Sequence, residues 1–178
     1  MGDGGERLFV WYSGGETEYR LPGTEMVFKV SPQSAELLRE VENTMGASVT
    51  GRRTFDISGG WGGNPPLGVP TFVVTHTVPQ EWVYAGSPFA FVTDGVESAV
   101  RQAKAVAGEK DVAVMAASIV QQCIAAGLLD EIVVNLVPVL LGEGVRLFEH
   151  PGNTPIELES TGVIEAPGVS HLKFRVVK

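Results

Sequence analysis

The sequence predicts an α/β domain whose sheet is mixed but mostly parallel and ends in a C-terminal antiparallel hairpin. Three observations lead there. Strand-like and helix-like segments alternate along the chain, apolar runs stop at small residues just before helix starts, and residues 156–164 and 171–177 alternate like paired strands. One domain, 1–178, is expected, because 178 residues with 44% hydrophobic content can bury a full core.

Residues 1–30 form an atypical N-terminal segment, rich in glycine and charge, whose obvious anchor is the apolar patch 8–12. Ser31 and Pro32 then open a helix as N-cap and first-turn residue, with Leu37, Leu38 and Val41 on one face. An apolar strand from Ala47 stops at Gly51, and Arg52, Arg53 and Thr54 start a second helix. The glycine and proline density of residues 58–68 marks a loop. Residues 71–76 and 89–93 read as strands, and Asp94 caps the helix whose face is Val96, Ala99, Val100, Ala103 and Ala107. After a strand at 112–115, Ser118 and Gln121 make a capping box that opens a helix to about Ala126, ended by Gly127. Residues 132–141 form a long strand interrupted at Pro138, which serves equally as a core strand or as part of a dimer contact.

Charge and composition exclude several classes. A formal net charge of -8 argues against a general nucleic-acid or anionic-membrane surface, since the field repels polyanions. No apolar run approaches a membrane span, and the N-terminus lacks a signal-peptide core, so a cytoplasmic protein is expected. The single cysteine, Cys123, falls on the apolar face with Ile119 and Leu128, and a buried, inert thiol is expected there. His150 and His171 have no second ligand at metal spacing, so no metal site is expected.

Residues 47–56 carry the most chemistry. The strand delivers the backbone to Gly51, where no Cβ blocks a ligand, and Arg52, Arg53, the Thr54 hydroxyl and free helix N–H groups offer donors to an anion. A surface arginine pair after a strand explains the same residues. What favours the anion site is a second strand followed by small residues and a helix start at 112–118.

The succession of GlyArgArgThr (51–54), ThrHis (75–76), the small-residue turn at 115–118 and LeuValProValLeuLeuGlyGluGlyValArgLeuPhe (136–148) resembles the dihydrofolate reductase superfamily. Within it the chain is most similar to the reductase domain of the bacterial riboflavin-biosynthesis deaminase-reductase, over roughly residues 31–178. The resemblance implies a dihydrofolate reductase-like three-layer sandwich. It also implies NADPH as cofactor, hydride transfer to a small heterocyclic or carbonyl-bearing substrate that is pterin- or pyrimidine-like, and commonly a homodimer. It assigns Arg52 to the 2′-phosphate of the adenosine ribose, and Arg53 with Thr54 to the pyrophosphate. Thr75 and His76 border the adenine ribose and its phosphate. Met115, Ala116 and Ala117 pass beside the nicotinamide, and Ser118 and Ile119 begin a helix that faces phosphate. The strand at 71–74 ends without an acidic residue to read a 2′-hydroxyl, which favours NADPH over NADH.

Two features depart from the resemblance. The family's Gly-Gly pair is here Met115, Ala116 and Ala117, and a Cβ disfavours positive φ. The family's usual opening strand and its Ser-Leu-Asp-Gly-like turn are not found. Three readings follow: a longer natural chain, which is favoured, residues 8–12 moving in as a substitute strand, or a relative that no longer binds cofactor. No catalytic residue is assigned. Asp56, Glu143 and Asn135 are candidate proton donors that solvation or sheet hydrogen bonding explains as well, and Trp61 either covers a ligand or pins its loop. The leading function is an NADPH-dependent reductase. A ligand-binding or dimerising module that has lost catalysis, and a flavin or nucleotide binder using the same cradle, are the alternatives.

Overall fold

The structure is a computed structural model, which describes residues 4–149 and 155–178. Its first sheet is parallel, in the order β5-β4-β3-β6, built from β3 (Met45–Gly51), β4 (Thr71–Val74), β5 (Phe89–Val92) and β6 (Asp111–Val114). Period-two alternation gives this sheet two apolar faces. Ala47, Val49 and Phe72 face α3 (Val96–Ala107) and α4 (Ala117–Ala125) in one core cluster. On the other side Val73 and Phe89 pack with Phe55 of α2 (Arg52–Ile57) and with the partly buried Trp61, Trp82 and Phe91. Helices on both faces make the three layers that the family resemblance implies.

A second, antiparallel sheet has the order β7-β9-β8, from β7 (Glu131–Leu136), β8 (Leu158–Ala166) and β9 (Val169–Val176). The closing hairpin is thus where the alternating sequence places it. Helix α1 (Pro32–Thr44) packs on β8, with Ser31 as N-cap accepting from the Ser34 N–H at 3.1 Å. Among the described residues no helix is long and apolar enough to cross a membrane.

Several expectations are corrected. The segment before α1 holds more structure than its composition suggests: a 3-10 run at Gly5–Ser13, then β1 (Thr17–Arg20) paired antiparallel with β2 (Val27–Val30). Trp11, Tyr19 and Val30 are buried with Ala35 of α1 and Val169 of β9. Residues 8–12 therefore lie in the 3-10 run and do not act as a substitute strand. The run 132–141 stops being strand at Leu136, two residues before Pro138, whose missing N–H and effect on the residue before it oppose continuation. Asp94 does not cap α3: the N-cap is Gly95, with no side-chain hydrogen bond.

Among the described residues β5 and β6 are the edge strands of the parallel sheet, and β7 and β8 those of the antiparallel sheet, each paired on one side.

Candidate functional site

Two helix starts converge at the carboxyl ends of adjacent parallel strands. Strand β3 runs into α2 at Gly51, while β6 turns through Met115 into α4, and the Met115 N–H donates to the Val49 carbonyl at 2.8 Å. Gly51 permits the approach. A Cβ there would lie 3.2 Å from Ile119 Cγ1 and 3.7 Å from the Ser118 hydroxyl oxygen, the first of these tighter than packing normally allows. The structure therefore brings Gly51, Arg52, Arg53 and Thr54 beside Met115, Ala116, Ala117, Ser118 and Ile119.

The expected capping box does not form. The N-cap of α4 is Ala116, without a side-chain hydrogen bond, so Ser118 lies inside the first turn with its exposed hydroxyl uncommitted among the described residues. Gln121, the other half of the expected box, instead donates to the Arg146 carbonyl at 2.7 Å and ties the segment after β7 to α4. Ile119 is buried in the core, and its N–H donates to the Ala116 carbonyl at 3.1 Å. Its contribution to a ligand site is thus shape. The N–H groups of Ala117 and Ser118, at the start of α4, have no intrahelical acceptor.

Ala116 adopts φ 84 and ψ 131, a conformation that glycine favours and a Cβ strains by about 1–3 kcal/mol. The turn thus keeps glycine-like geometry although the glycines are gone.

Arg52 is positioned by two contacts. Its Nε donates to Asp56 at 2.7 Å, four residues along the helix, and a terminal nitrogen donates to the Thr77 carbonyl at 2.8 Å. This second bond fixes the guanidinium at the end of β4, next to Thr75 and His76. Its remaining N–H groups are left for an anion. Asp56, a candidate proton donor, is here the orienting partner of Arg52. Arg53 is exposed and makes no ion pair among the described residues. Thr75 is buried, its hydroxyl donating to the Thr77 carbonyl at 2.8 Å, whereas His76 is exposed.

A second polar cluster has no counterpart in the sequence-based expectations. His171 is fully buried, with Nε2 2.9 Å from the Ser34 hydroxyl and Nδ1 2.7 Å from Asn135 Oδ1. It joins α1 to β9 and β7. Burial, and secondarily the Lys173 charge, hold its pKa below the ordinary 6.5. The Asn135 side chain is thus committed to the His171 ring and not to the sheet backbone. Glu143 lies exposed after β7. The spacing of residues 34, 135 and 171 offers no local motif, so only the fold reveals the cluster.

Cys123 is buried, and desolvation, then the Glu97 charge, push its thiol up to about 11, which makes it inert at neutral pH. No cluster of three or more metal-ligating side chains occurs among the described residues, and His150 lies outside them.

Among solved structures, the chain is similar to a protein named for riboflavin biosynthesis from Shewanella sp. PV-4, with TM-score 0.65 and 19% identity over 79% of this chain and 78% of that one. It is similar to Acinetobacter baumannii RibD, with TM-score 0.59 and 13% identity over 83% of this chain and 51% of that one. A pyrimidine reductase-like protein from Corynebacterium diphtheriae NCTC aligns with TM-score 0.55 and 12% identity over 81% of both chains. The chain thus spans about half the length of the A. baumannii protein. At these identities the structures speak for a shared fold. No curated protein matches the chain. The family model described as the RibD C-terminal domain matches residues 29–168, which include the whole cradle, and the chain belongs to that family.

Proposed function

We propose that this chain is an NADPH-dependent reductase acting on a small heterocyclic or carbonyl-bearing molecule of pterin- or pyrimidine-like type. The observation that carries the reading is the convergence of the Gly51–Thr54 motif and the Ala116–Ile119 turn at the ends of β3 and β6. The residues fit a phosphorylated dinucleotide. Arg52 is held at the end of β4 by Thr77 and Asp56, where it suits a 2′-phosphate, and Arg53, Thr54 and Ser118 supply further donors for the pyrophosphate. When bound, the nicotinamide supplies the hydride, and the chain's residues bind, orient and exclude water. The glycine-like backbone of Ala116 keeps the turn open for that ring. The pyrimidine reductase-like name borne by one structural relative is consistent with the substrate class.

We further propose a cytoplasmic protein of one domain, without nucleic-acid or membrane partners, that forms a homodimer. A second reading, a ligand-binding or dimerising module without catalysis, draws its support from the unpaired edges of β6 and β7 and from Ala116 standing in a glycine's conformation.

Calorimetric titration with NADPH and with NADH tests the first reading. Micromolar NADPH binding, weaker NADH binding, and a loss of at least about tenfold in Arg52→Ala are expected, since a charge-assisted phosphate contact is worth roughly 1.5–3 kcal/mol. Ala116→Gly removes the strained Cβ and is expected to keep or tighten the binding. A folded chain that binds neither nucleotide in either form would sink the reductase reading and favour the module.

A further inference from the structure

Helix α1, strand β7 and the N-terminal segment meet at the His171 ring, and the hydrogen bonds there run in one direction. An amide oxygen only accepts, so the 2.7 Å contact with Asn135 Oδ1 puts a hydrogen on Nδ1 and leaves Nε2 as an acceptor. Ser34 therefore donates to Nε2 at 2.9 Å, and its own oxygen accepts from the Ser31 hydroxyl at 3.1 Å. Hydroxyl, imidazole and amide stand in the order of a nucleophilic triad, but Ser34 is 1% exposed and His171 0%, so no substrate reaches them. What the cluster can do is respond to a proton.

A proton on Nε2 sets two donors against each other. The Ser34 hydrogen must turn away, and Ser31 Oγ, the other hydroxyl bonded to Ser34, is itself donating to it. Nor does a carboxylate stand by to hold the charge. The ring faces Ser34 of α1, Asn135 of β7, the cross-strand residue Ile164 of β8 and Trp11, all of them neutral. Lys173, two residues along β9, is the charge that acts on it, and its ammonium already holds Glu40 of α1 at 2.6 Å. Glu6 and Arg7 of the 3-10 run, Glu131 of β7 and Glu165 of β8 are exposed, and Glu42 of α1 accepts from the Tyr19 hydroxyl. A buried imidazolium without an anion must be hydrated, which requires one of its covers to move.

The cover held least is the run Gly5–Ser13. Trp11 stands edge-on to the His171 ring with centroids 5.2 Å apart and is buried, whereas every residue from Glu6 to Val10 is exposed. Among the described residues the backbone of the run bonds only within itself, and the chain is first tied to a strand at Gly15, which donates to the Lys29 carbonyl at 2.9 Å. By contrast α1 is a helix of 13 residues packed on β8, and β7 is joined to β9 along its whole length. Local opening draws on the segment with the fewest buried contacts and ladder bonds. Tyr12, stacked on Trp11 at 3.8 Å, would leave with it, and with Tyr12 goes one wall of the open groove in which Tyr12 and Phe28 face Trp61.

We infer that His171 is a pH-operated latch on the N-terminal segment: a proton taken up from water at Nε2 frees Trp11 and the run Gly5–Ser13 from the sheet, while both sheets and their helices stay folded. The latch lies outside the cofactor cradle and stands whether or not the reductase reading does.

Hydrogen–deuterium exchange of the full chain at pH about 7.5, 6.5 and 5.5, read by mass spectrometry and corrected for intrinsic rates, tests it. With the freed ring at its ordinary 6.5 and the latched ring below it, protection of residues 5–14 is expected to fall about three- to tenfold from the highest pH to the lowest, and that of β3 to stay constant. His171→Gln, whose amide can replace both hydrogen bonds but takes no proton, should abolish the fall. Asn135→Asp, which supplies a carboxylate to the imidazolium, should keep the run protected at pH about 5.5 and move the His171 titration, followed by NMR of the ring Cε1 proton, to higher pH. Protection of the run that does not change with pH overturns the inference. So does a fall shared equally by β3, or one that survives in His171→Gln. Should His171→Gln fail to fold by circular dichroism, Asn135→Asp decides: a fall as large as in the unmodified chain overturns the latch, and its absence upholds it.

Discussion

At single residues the chemistry of the cradle is legible in the sequence and its wiring is not. Gly51, Arg52, Arg53 and Thr54 declare a strand-to-helix anion motif in four consecutive letters, but Asp56 and Thr77, which aim Arg52, are recognised only when the helix turn and the end of β4 meet. Thr50, one residue earlier, is fully buried with a hydroxyl that has no partner among the described residues. An unsatisfied buried hydroxyl costs about 1–3 kcal/mol, so Thr50→Val is expected to stabilise the chain by about 1 kcal/mol in urea unfolding. An unchanged or lower midpoint would mean that the hydroxyl has a partner in solution. His171 carries a pH dependence. Its folded pKa lies below the ordinary 6.5, so the unfolded chain binds more protons between the two values. Its stability contribution is full above 6.5 and is lost as pH falls from there through the folded value. The urea midpoint should therefore drop as pH is lowered from about 7.5 to about 5.5, and His171→Gln should flatten that drop while lowering the midpoint at the higher pH. Equal slopes in both proteins would refute the assignment.

Among elements, periodicity and punctuation place α1, α3, α4 and the closing hairpin, while capping and strand ends are decided elsewhere. Ser118 with Gln121 and Asp94 are capping letters, yet Ala116 and Gly95 do the capping, because the turn geometry after each strand sets where the first helical residue falls. The β1–β2 pair is hard to see in the sequence because four-residue strands separated by a turn lie below the length at which alternation stands out. Its trace in the sequence is the turn pair Pro22 and Gly23 between the two strands. Strand edges lead to a further expectation. β3 is paired on both sides and so is β9, whereas β6 and β7 are each paired on one. Hydrogen exchange of amides in β6 and β7 should be roughly tenfold or more faster than in β3 and β9. Equal protection would show that something in solution covers those edges.

Over the whole molecule, the unpaired edges and the exposed apolar side chains Val133 and Leu136 of β7 bear on assembly. A homodimer through such surface predicts that sedimentation equilibrium returns twice the chain mass, and that Val133→Lys with Leu136→Lys shifts it to the single-chain mass. A monomer at every concentration would remove the dimer proposal. The sequence by itself determined the α/β class, the order of strands and helices from α1 onward, the anion motif at Gly51 and the family resemblance, because each is written in neighbouring residues or in repeating periods. Only the tertiary structure decided that Ala116 would hold a glycine's geometry, that Ser34, Asn135 and His171 would meet, and that Tyr12 and Phe28 would face Trp61 across a groove. Those outcomes depend on contacts between residues far apart along the chain, which packing selects and local propensity does not encode.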